Sequence, residues 1–371
     1  SPFTEANPSY TQIPITLKKI PGSEQNIADL RQRRRLNNAL RGANPEAVIF
    51  DGDSLYGTSI YLGLPSDLRE NSVAVWRRMF RGDPSLHSEN QAERIRSFLY
   101  WKTQEYFAKH VGTNFAVSQA VADSLEKAGI PEKKIVHIPQ QVGGDYSPQD
   151  RLTQGDHFRK EFLEQDELGI LIVSRISPEK GFDWMIDVYK RLKEERKNLN
   201  PDSSLKKIRF TLVGPAIPEN KQFLTWIQQE ISKSDSATAR QHAADSIRFE
   251  YIGAKEKDEL QKLYNAYDIL LMPSPAEGFG KVTVEAMHGG MTVIGRKECL
   301  ATNEIINESP YTIGLLPKSP RTAAEQIITI MQNPNLLTEL QYNALMWSHG
   351  HYSEAKINKG FWNGIKSIPK K

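Results

Sequence analysis

From Leu168 onward the chain alternates short apolar runs with segments of helical spacing, and this alternation constrains its fold more than any other feature. The segments Ile170 to Ser174, Ile208 to Gly214, Ile247 to Gly253, Asp268 to Met272 and Thr292 to Gly295 each read as a strand, Asp268 to Met272 as a buried one. Between the first two, Phe182, Met185, Ile186, Tyr189 and Leu192 recur at the spacing of one helix face. Strands joined through helices run parallel, so the expected class is α/β with a doubly wound sheet. Ligands of such sheets lie at the strands' carboxyl ends.

The strand ending at Met272 leads into PSPAEGFGKVTVEAMHGG, a glycine turn that passes into a helix marked by Val282, Val284, Ala286 and Met287. Glu277 stands before that helix and Glu285 about a turn and a half into it, with seven residues between them. Gly278 and Gly280 remove side chains where a ligand must approach the backbone. The amides of Phe279, Gly280 and Lys281 point out of the helix N-terminus, a place that suits an anion or a ring of hydroxyls. The plainer alternative is a helix start whose acidic residues complement the dipole.

These residues resemble the E-x7-E signature of retaining glycosyltransferases with two Rossmann domains (GT-B), family 4 above all. The resemblance implies that Glu277 faces the transferred sugar and that Glu285 holds the ribose of a nucleotide-sugar. Upstream, Ser174-Arg175 and Lys180-Gly181 resemble the family's G-R-x-x-x-x-K-G pattern, with Ser174 in place of the first glycine. Arg175 and Lys180 would then hold the donor's diphosphate. Two fixed cations and a helix N-terminus can stabilise the charge that grows on a departing phosphate, as magnesium does elsewhere. The expected catalytic set is Glu277, Arg175 and Lys180. The expected donor-binding set is Glu285, Gly278, Phe279, Gly280, Lys281, Val282 and Gly214.

With 371 residues the chain is long enough for two domains. Its 48 basic and 45 acidic residues balance to +3, so no global field calls for nucleic acid. The single cysteine, Cys299, excludes an internal disulfide framework and fits a reducing compartment. No apolar run reaches the length of a bilayer span, and the start, SPFTEANPSY, lacks the regions of a signal peptide. A cytoplasmic location is expected, with peripheral membrane contact left open.

The first half resembles the family less closely. The opening residues offer one strand, Ile15 to Ile20, and one basic helical segment, Ile27 to Leu40, but not the family's Gly-rich loop. Either the sequence lacks an N-terminal piece or the protein departs from the family there. Asn44 to Phe50 reads as a buried strand ending in Asp51-Gly-Asp53. That acid pair admits a metal-binding D-x-D reading, or a haloacid-dehalogenase-like phosphatase with Asp51 as nucleophile. It also admits a plain strand whose following helix is capped by Asp53 or Ser54. Ser72 to Trp76 reads as a strand followed by Arg77, Arg78 and Arg81, where the family commonly has a histidine. These arginines are candidates for binding an acceptor's phosphate or carboxylate, or a solvated loop.

The helical segment from Ala92 to His110 interleaves Ile95, Phe98, Leu99, Trp101, Tyr106 and Phe107 with basic residues. It reads as a domain helix with a wide core face and snorkelling cations, with a membrane-surface helix as the alternative. Residues 113–118, a helix to Ala128 and residues 129–139 match the family's closing pattern for its first domain. Gln140-Gln-Val-Gly then stands where the family has Asn-Gly-Val-Asp.

The expected architecture is two Rossmann-like domains facing across a cleft: 1–150 on the acceptor side and 151–350 for the donor. A terminal helix in 351–371, after a break at Trp347 to His351, crosses back to the first domain. The expected activity is metal-independent, retaining, hexosyltransferase-like transfer in glycan, polysaccharide or glycolipid synthesis, with no cofactor and no metal site. The donor is a nucleotide-diphosphate sugar, a UDP-sugar on the family's pattern, and the acceptor a glycan, lipid-linked or other hydroxyl compound. A phosphatase using Asp51 and Asp53, or a non-catalytic sugar-nucleotide binder, are the alternatives.

Overall fold

The computed structural model describes residues 18–19, 26–27, 48–51, 61–62, 64–77, 91–140, 142, 157, 159–164, 166–197, 207–216, 218–238 and 247–366. The chain divides into two compact units, one of Ser1–Gln141 with Glu354–Lys371 and the other of Val142–Ser353.

In the first unit a short antiparallel pair joins β1 (Lys18–Lys19) to β2 (Asn26–Ile27). Ile27 is thus extended where the sequence suggested the start of a helix; the rest of that segment lies outside the described residues. The main sheet is parallel and runs in chain order: β3 (Val48–Asp51), β4 (Ser72–Trp76), β5 (Thr113–Ala116) and β6 (Ile135–His137). Helices α1 (Ser66–Glu70), α2 (Gln91–His110) and α3 (Gln119–Lys127) join them. Ser118 starts α3 by accepting from the Val121 amide at 3.2 Å. Asp51 closes β3, whereas Asp53 and Ser54 lie outside the described residues.

The second unit holds a six-stranded parallel sheet: β7 (Glu167–Val173), β8 (Lys207–Val213), β9 (Ile247–Tyr251), β10 (Ile269–Met272), β11 (Thr292–Gly295) and β12 (Gly314–Leu315). Their spatial order is β12-β11-β10-β7-β8-β9. The chain winds outward from β7 in one direction, then returns to β7's other side with β10 and winds the opposite way. That is the Rossmann order, with its switch point between β7 and β10.

Helices α4 (Phe182–Lys197), α5 (Lys221–Thr238), α6 (Lys257–Ala266), α7 (Lys281–His288), α8 (Leu300–Asn307), α9 (Pro320–Gln332) and α10 (Pro334–Tyr352) complete this unit. Ile170, Ile172, Phe210 and Leu212 on one sheet face pack with Phe182, Met185, Ile186, Tyr189 and Leu192 of α4 in one buried cluster. Strand alternation sends Glu167, Arg209, Thr211, Arg248 and Glu250 to the other face. There the fully buried Glu167 accepts from Arg209 Nε at 2.9 Å and Arg248 Nε at 2.7 Å. Thr211 Oγ1 meets Glu250 Oε1 at 2.7 Å.

Asn333 caps α10 through the Leu336 amide, with Pro334 as the first helical residue. The break expected at Trp347 to His351 is not there. Gly350 sits inside α10, where a glycine costs only about 1 kcal/mol, and the helix stops where Ser353 turns extended at φ −60°, ψ 144°. The last helix, α11 (Glu354–Lys366), belongs to the first unit, in which Phe361 meets Phe115 edge-on at 5.3 Å.

His288, at the end of α7, is buried against His349, their rings stacked at 4.3 Å. Burial first, and then the neighbouring imidazole, pushes the His288 pKa down to about 4. A histidine held neutral in the fold takes up its proton on unfolding, so its contribution is complete above the unfolded value and is lost as pH falls from about 6.5 towards about 4. The expected loss over that window is roughly 3 kcal/mol. Urea unfolding of wild type and His288→Leu at both ends of the window checks this. The variant's stability should fall less on acidification by about that amount.

Candidate donor site

The carboxyl ends of β7 and β10 lie side by side, because Ile170 and Leu171 pair with Ile269 and Leu270. After β7 the chain runs through Ser174, Arg175 and Ser177 into one turn of 3₁₀ helix, Pro178–Lys180, and enters α4 through Gly181. Gly181 is left-handed at φ 72°, and a Cβ there would stand 2.1 Å from the Pro273 carbonyl oxygen. Only glycine lets the two loops touch backbone to backbone in this way. That contact delivers Lys180, whose Nζ donates to Glu277 Oε1 at 2.7 Å. Both side chains are about four-fifths buried, with 17% and 21% exposure.

The loop after β10 then reaches Gly280, left-handed at φ 81°, which serves as N-cap of α7 without any side-chain cap bond. Its carbonyl accepts from the Thr283 amide at 2.8 Å, and the open end of the helix faces the turn. Val284, Ala286 and Met287 anchor α7 in the core. Glu285 is held from two sides: Tyr264 Oη donates to Oε2 at 3.1 Å, and Lys281 Nζ lies 3.2 Å from Oε1. Burial, reinforced by the Glu285 charge, raises the Tyr264 pKa well above its ordinary value, so the phenol stays a donor. A carboxylate with one partner on each oxygen keeps lone pairs for a further pair of hydroxyls.

Arg175 is placed differently. It is exposed, and its Nη2 lies 3.5 Å from Glu179 Oε1, which also accepts from Ser177 Oγ at 2.7 Å. Burial alone would raise the Glu179 pKa, but the Ser177 hydrogen bond, a backbone hydrogen bond and the charges of Arg175 and Lys180 bring it below the ordinary value. The sequence-predicted residues therefore meet as Lys180 with Glu277 and Lys281 with Glu285, while Arg175 stands with Glu179.

The remaining expectations divide by chemistry. Phe279 turns its ring into the core, edge-on to Tyr352 at 5.8 Å, so only its backbone is left for a ligand. Val282 is half-buried in the first turn of α7. Gly214 has φ 148°, and a Cβ there would lie 1.8 Å from the Ser174 carbonyl oxygen, so this glycine lets the ends of β7 and β8 close up. Arg77 follows β4 in the first unit, and Arg78 and Arg81 lie outside the described residues. Sequence reasoning missed Tyr264 and Glu179. Nothing in the pattern marks Tyr264, whereas Glu179, four residues after Arg175, carried an i,i+4 charge signal.

The family model of the group 1 glycosyl transferases matches residues 153–347, more than half of the chain and nearly all of the second unit. The chain belongs to this family. As a group 1 glycosyltransferase sequence it is 24% identical over 244 residues to the serotype-specific mannosyltransferase WbdA of Escherichia coli, covering 65% of this chain and 27% of that protein. It is 28% identical over 253 residues to the GtfA subunit of the UDP-N-acetylglucosamine–peptide N-acetylglucosaminyltransferase of Streptococcus pneumoniae, covering 65% of this chain and 42% of that one. The chain thus spans less than half the length of these curated relatives. Among solved structures it resembles Anabaena Alr3699/HepE in complex with UDP, with a TM-score of 0.65 at 18% identity, over 91% of this chain and 82% of that one. Its fold is therefore GT-B, built of two Rossmann-like domains. Among the described residues no helix is long and apolar enough to cross a membrane.

Proposed function

We propose that the protein is a retaining glycosyltransferase that moves a hexose-like sugar from a nucleotide-diphosphate sugar to an acceptor hydroxyl. The observation that carries this reading is the pairing of Lys180 with Glu277 at the switch point of a Rossmann sheet, one turn of chain before the open N-terminus of α7. On this reading Glu285 accepts from the ribose hydroxyls. Arg175 and Lys180 meet the diphosphate, and Glu277, at the turn, orients the sugar or stabilises its developing positive charge. The acceptor oxygen approaches the anomeric carbon on the face from which the diphosphate leaves. The new glycosidic bond forms as the carbon–phosphate-oxygen bond breaks, and the acceptor's proton passes to that phosphate oxygen.

Fixed protein cations in this role leave no step that calls for a divalent metal, so the reaction is proposed to be metal-independent. The solved relative bound to UDP favours uridine as the donor base. The relatives' printed activities favour an acceptor in glycan or polysaccharide synthesis, including a lipid-linked one. Buried Cys299 fits a cytoplasmic location, with peripheral contact where the acceptor is membrane-borne.

The test is incubation with a panel of nucleotide-sugars, with and without chelator, reading release of nucleoside diphosphate and the anomer of the product. A UDP-sugar should be consumed with retained configuration and without loss on chelation. An inverted product removes the retaining assignment. Binding without turnover on every acceptor tried would point to a sugar-nucleotide binding protein.

A further inference from the structure

Helix α2 carries apolar residues on two opposite faces, and among the described residues one of them packs into the core while the other is exposed. Phe107 and Ala108 are fully buried, and Phe107 packs edge-on to Phe50 at 5.2 Å and to Tyr61 at 5.5 Å. This is the core face. On the other side Ile95, Phe98, Leu99 and Tyr106 are 55%, 41%, 59% and 44% exposed. The wide core face expected from the sequence is thus a narrow one, and the four residues form a second stripe at i, i+3, i+4 and i+11. Four large apolar side chains on one helix face are more than the scattered exposure that needs no explanation.

The cations on this stripe say what covers it. Lys102 and Lys109 continue the same face, seven and fourteen residues after Ile95. Lys102 Nζ lies over the Trp101 ring at 4.1 Å and donates to Glu105 Oε2 at 2.9 Å, with its side chain half exposed. Both lysines pair with one carboxylate, Glu105, so the stripe keeps an excess of positive charge. The helix as a whole carries Arg94, Arg96, Lys102 and Lys109 against Glu93 and Glu105. Large exposed apolar residues flanked by two half-exposed lysines that share one carboxylate suit the boundary between acyl chains and anionic headgroups.

We infer that the face of α2 formed by Ile95, Phe98, Leu99, Lys102, Tyr106 and Lys109 docks on an anionic lipid surface. The apolar stripe enters the headgroup layer, and the lysines reach back to phosphate oxygens. The axis of α2 then lies along the membrane plane. Vesicle binding requires no sugar donor, so this inference and the transfer reaction proposed above can each fail alone.

The experiment is co-sedimentation of the full chain with vesicles of phosphatidylcholine, with or without one-third phosphatidylglycerol. Wild type should bind the anionic vesicles at least about tenfold more tightly than the neutral ones, and rising salt should weaken binding. Ile95→Asn/Leu99→Asn should bind anionic vesicles about tenfold less. Lys102→Gln/Lys109→Gln, which removes both charges without setting like charges beside Glu105, should lose the preference for anionic lipid and decides the matter if the first variant fails to fold by circular dichroism. Absence of wild-type binding, or equal binding by wild type and the folded variants, overturns the inference. A concentration-dependent dimer abolished by Ile95→Asn/Leu99→Asn without vesicle binding also overturns it, assigning the face to a second copy.

Discussion

Replacing Lys180 by alanine should lower kcat by about two to three orders of magnitude, the usual effect of losing one preorganised donor to a developing negative charge. Its ammonium donates to the Glu277 carboxylate, 2.7 Å away, and both groups are about four-fifths buried. On the proposed assignment to the diphosphate, the charge it meets would grow as the glycosidic bond breaks, which makes its interaction stronger in the transition state than in the ground state. Glu285→Ala should behave in the opposite sense. Hydrogen bonds to ribose hydroxyls are alike in both states, so KM for the donor should rise while kcat changes little. Glu277→Gln should lower kcat with less effect on nucleotide affinity. Steady-state kinetics with one donor and one acceptor separate these cases. A Lys180→Ala variant that altered only KM would make Lys180 a ground-state ligand and nothing more.

The largest effect on stability is expected from Glu167→Ala. Glu167 opens β7 with no exposure to solvent, and its carboxylate holds Arg209 and Arg248, which are direct neighbours across β8 and β9. The Glu164 amide is a third donor at 3.1 Å. Removing the acid leaves a buried gap in which Arg209 keeps Glu250 at 3.5 Å and the half-exposed Arg248 keeps Glu164, so the cost is about 3 kcal/mol, the lower end for breaking a buried pair. For a unit of this size that is roughly a 10 °C fall in Tm, measurable by thermal or urea unfolding. The network lies at the amino ends of the strands, whereas the proposed donor site lies at their carboxyl ends. UDP affinity of the folded Glu167→Ala protein should therefore match wild type, and a coupled loss of affinity would show that the two ends of the sheet are linked.

What could be read from sequence follows from the range of the interactions involved. Strands β7, β8, β10 and β11 and the inner face of α4 were legible because burial imposes apolar runs and a strict helical period, whereas β9, at the sheet's edge, alternates apolar with charged residues. The turn from Glu277 to Glu285 was legible because glycine and carboxylate spacing is local. β12 was missed, since Gly314–Leu315 is a two-residue strand completed only by pairing with β11. Both faces of α2 are apolar, so periodicity could not tell which one the core uses. Gly350 suggested a break that packing along the rest of α10 overrides. The partner of Lys180 was not legible either, because Glu277 is 97 residues away and reaches it only through the contact between Gly181 and Pro273.

Calorimetric titration of UDP into wild type and Glu285→Ala tests the donor site most directly. Wild type should bind UDP, and Glu285→Ala should bind it at least about tenfold more weakly, the least that losing a single charge-assisted hydrogen bond to a ribose hydroxyl costs. Equal UDP affinity in the two proteins, with both folded, would contradict the assignment of the ribose to Glu285 and of the donor to the ends of β7 and β10.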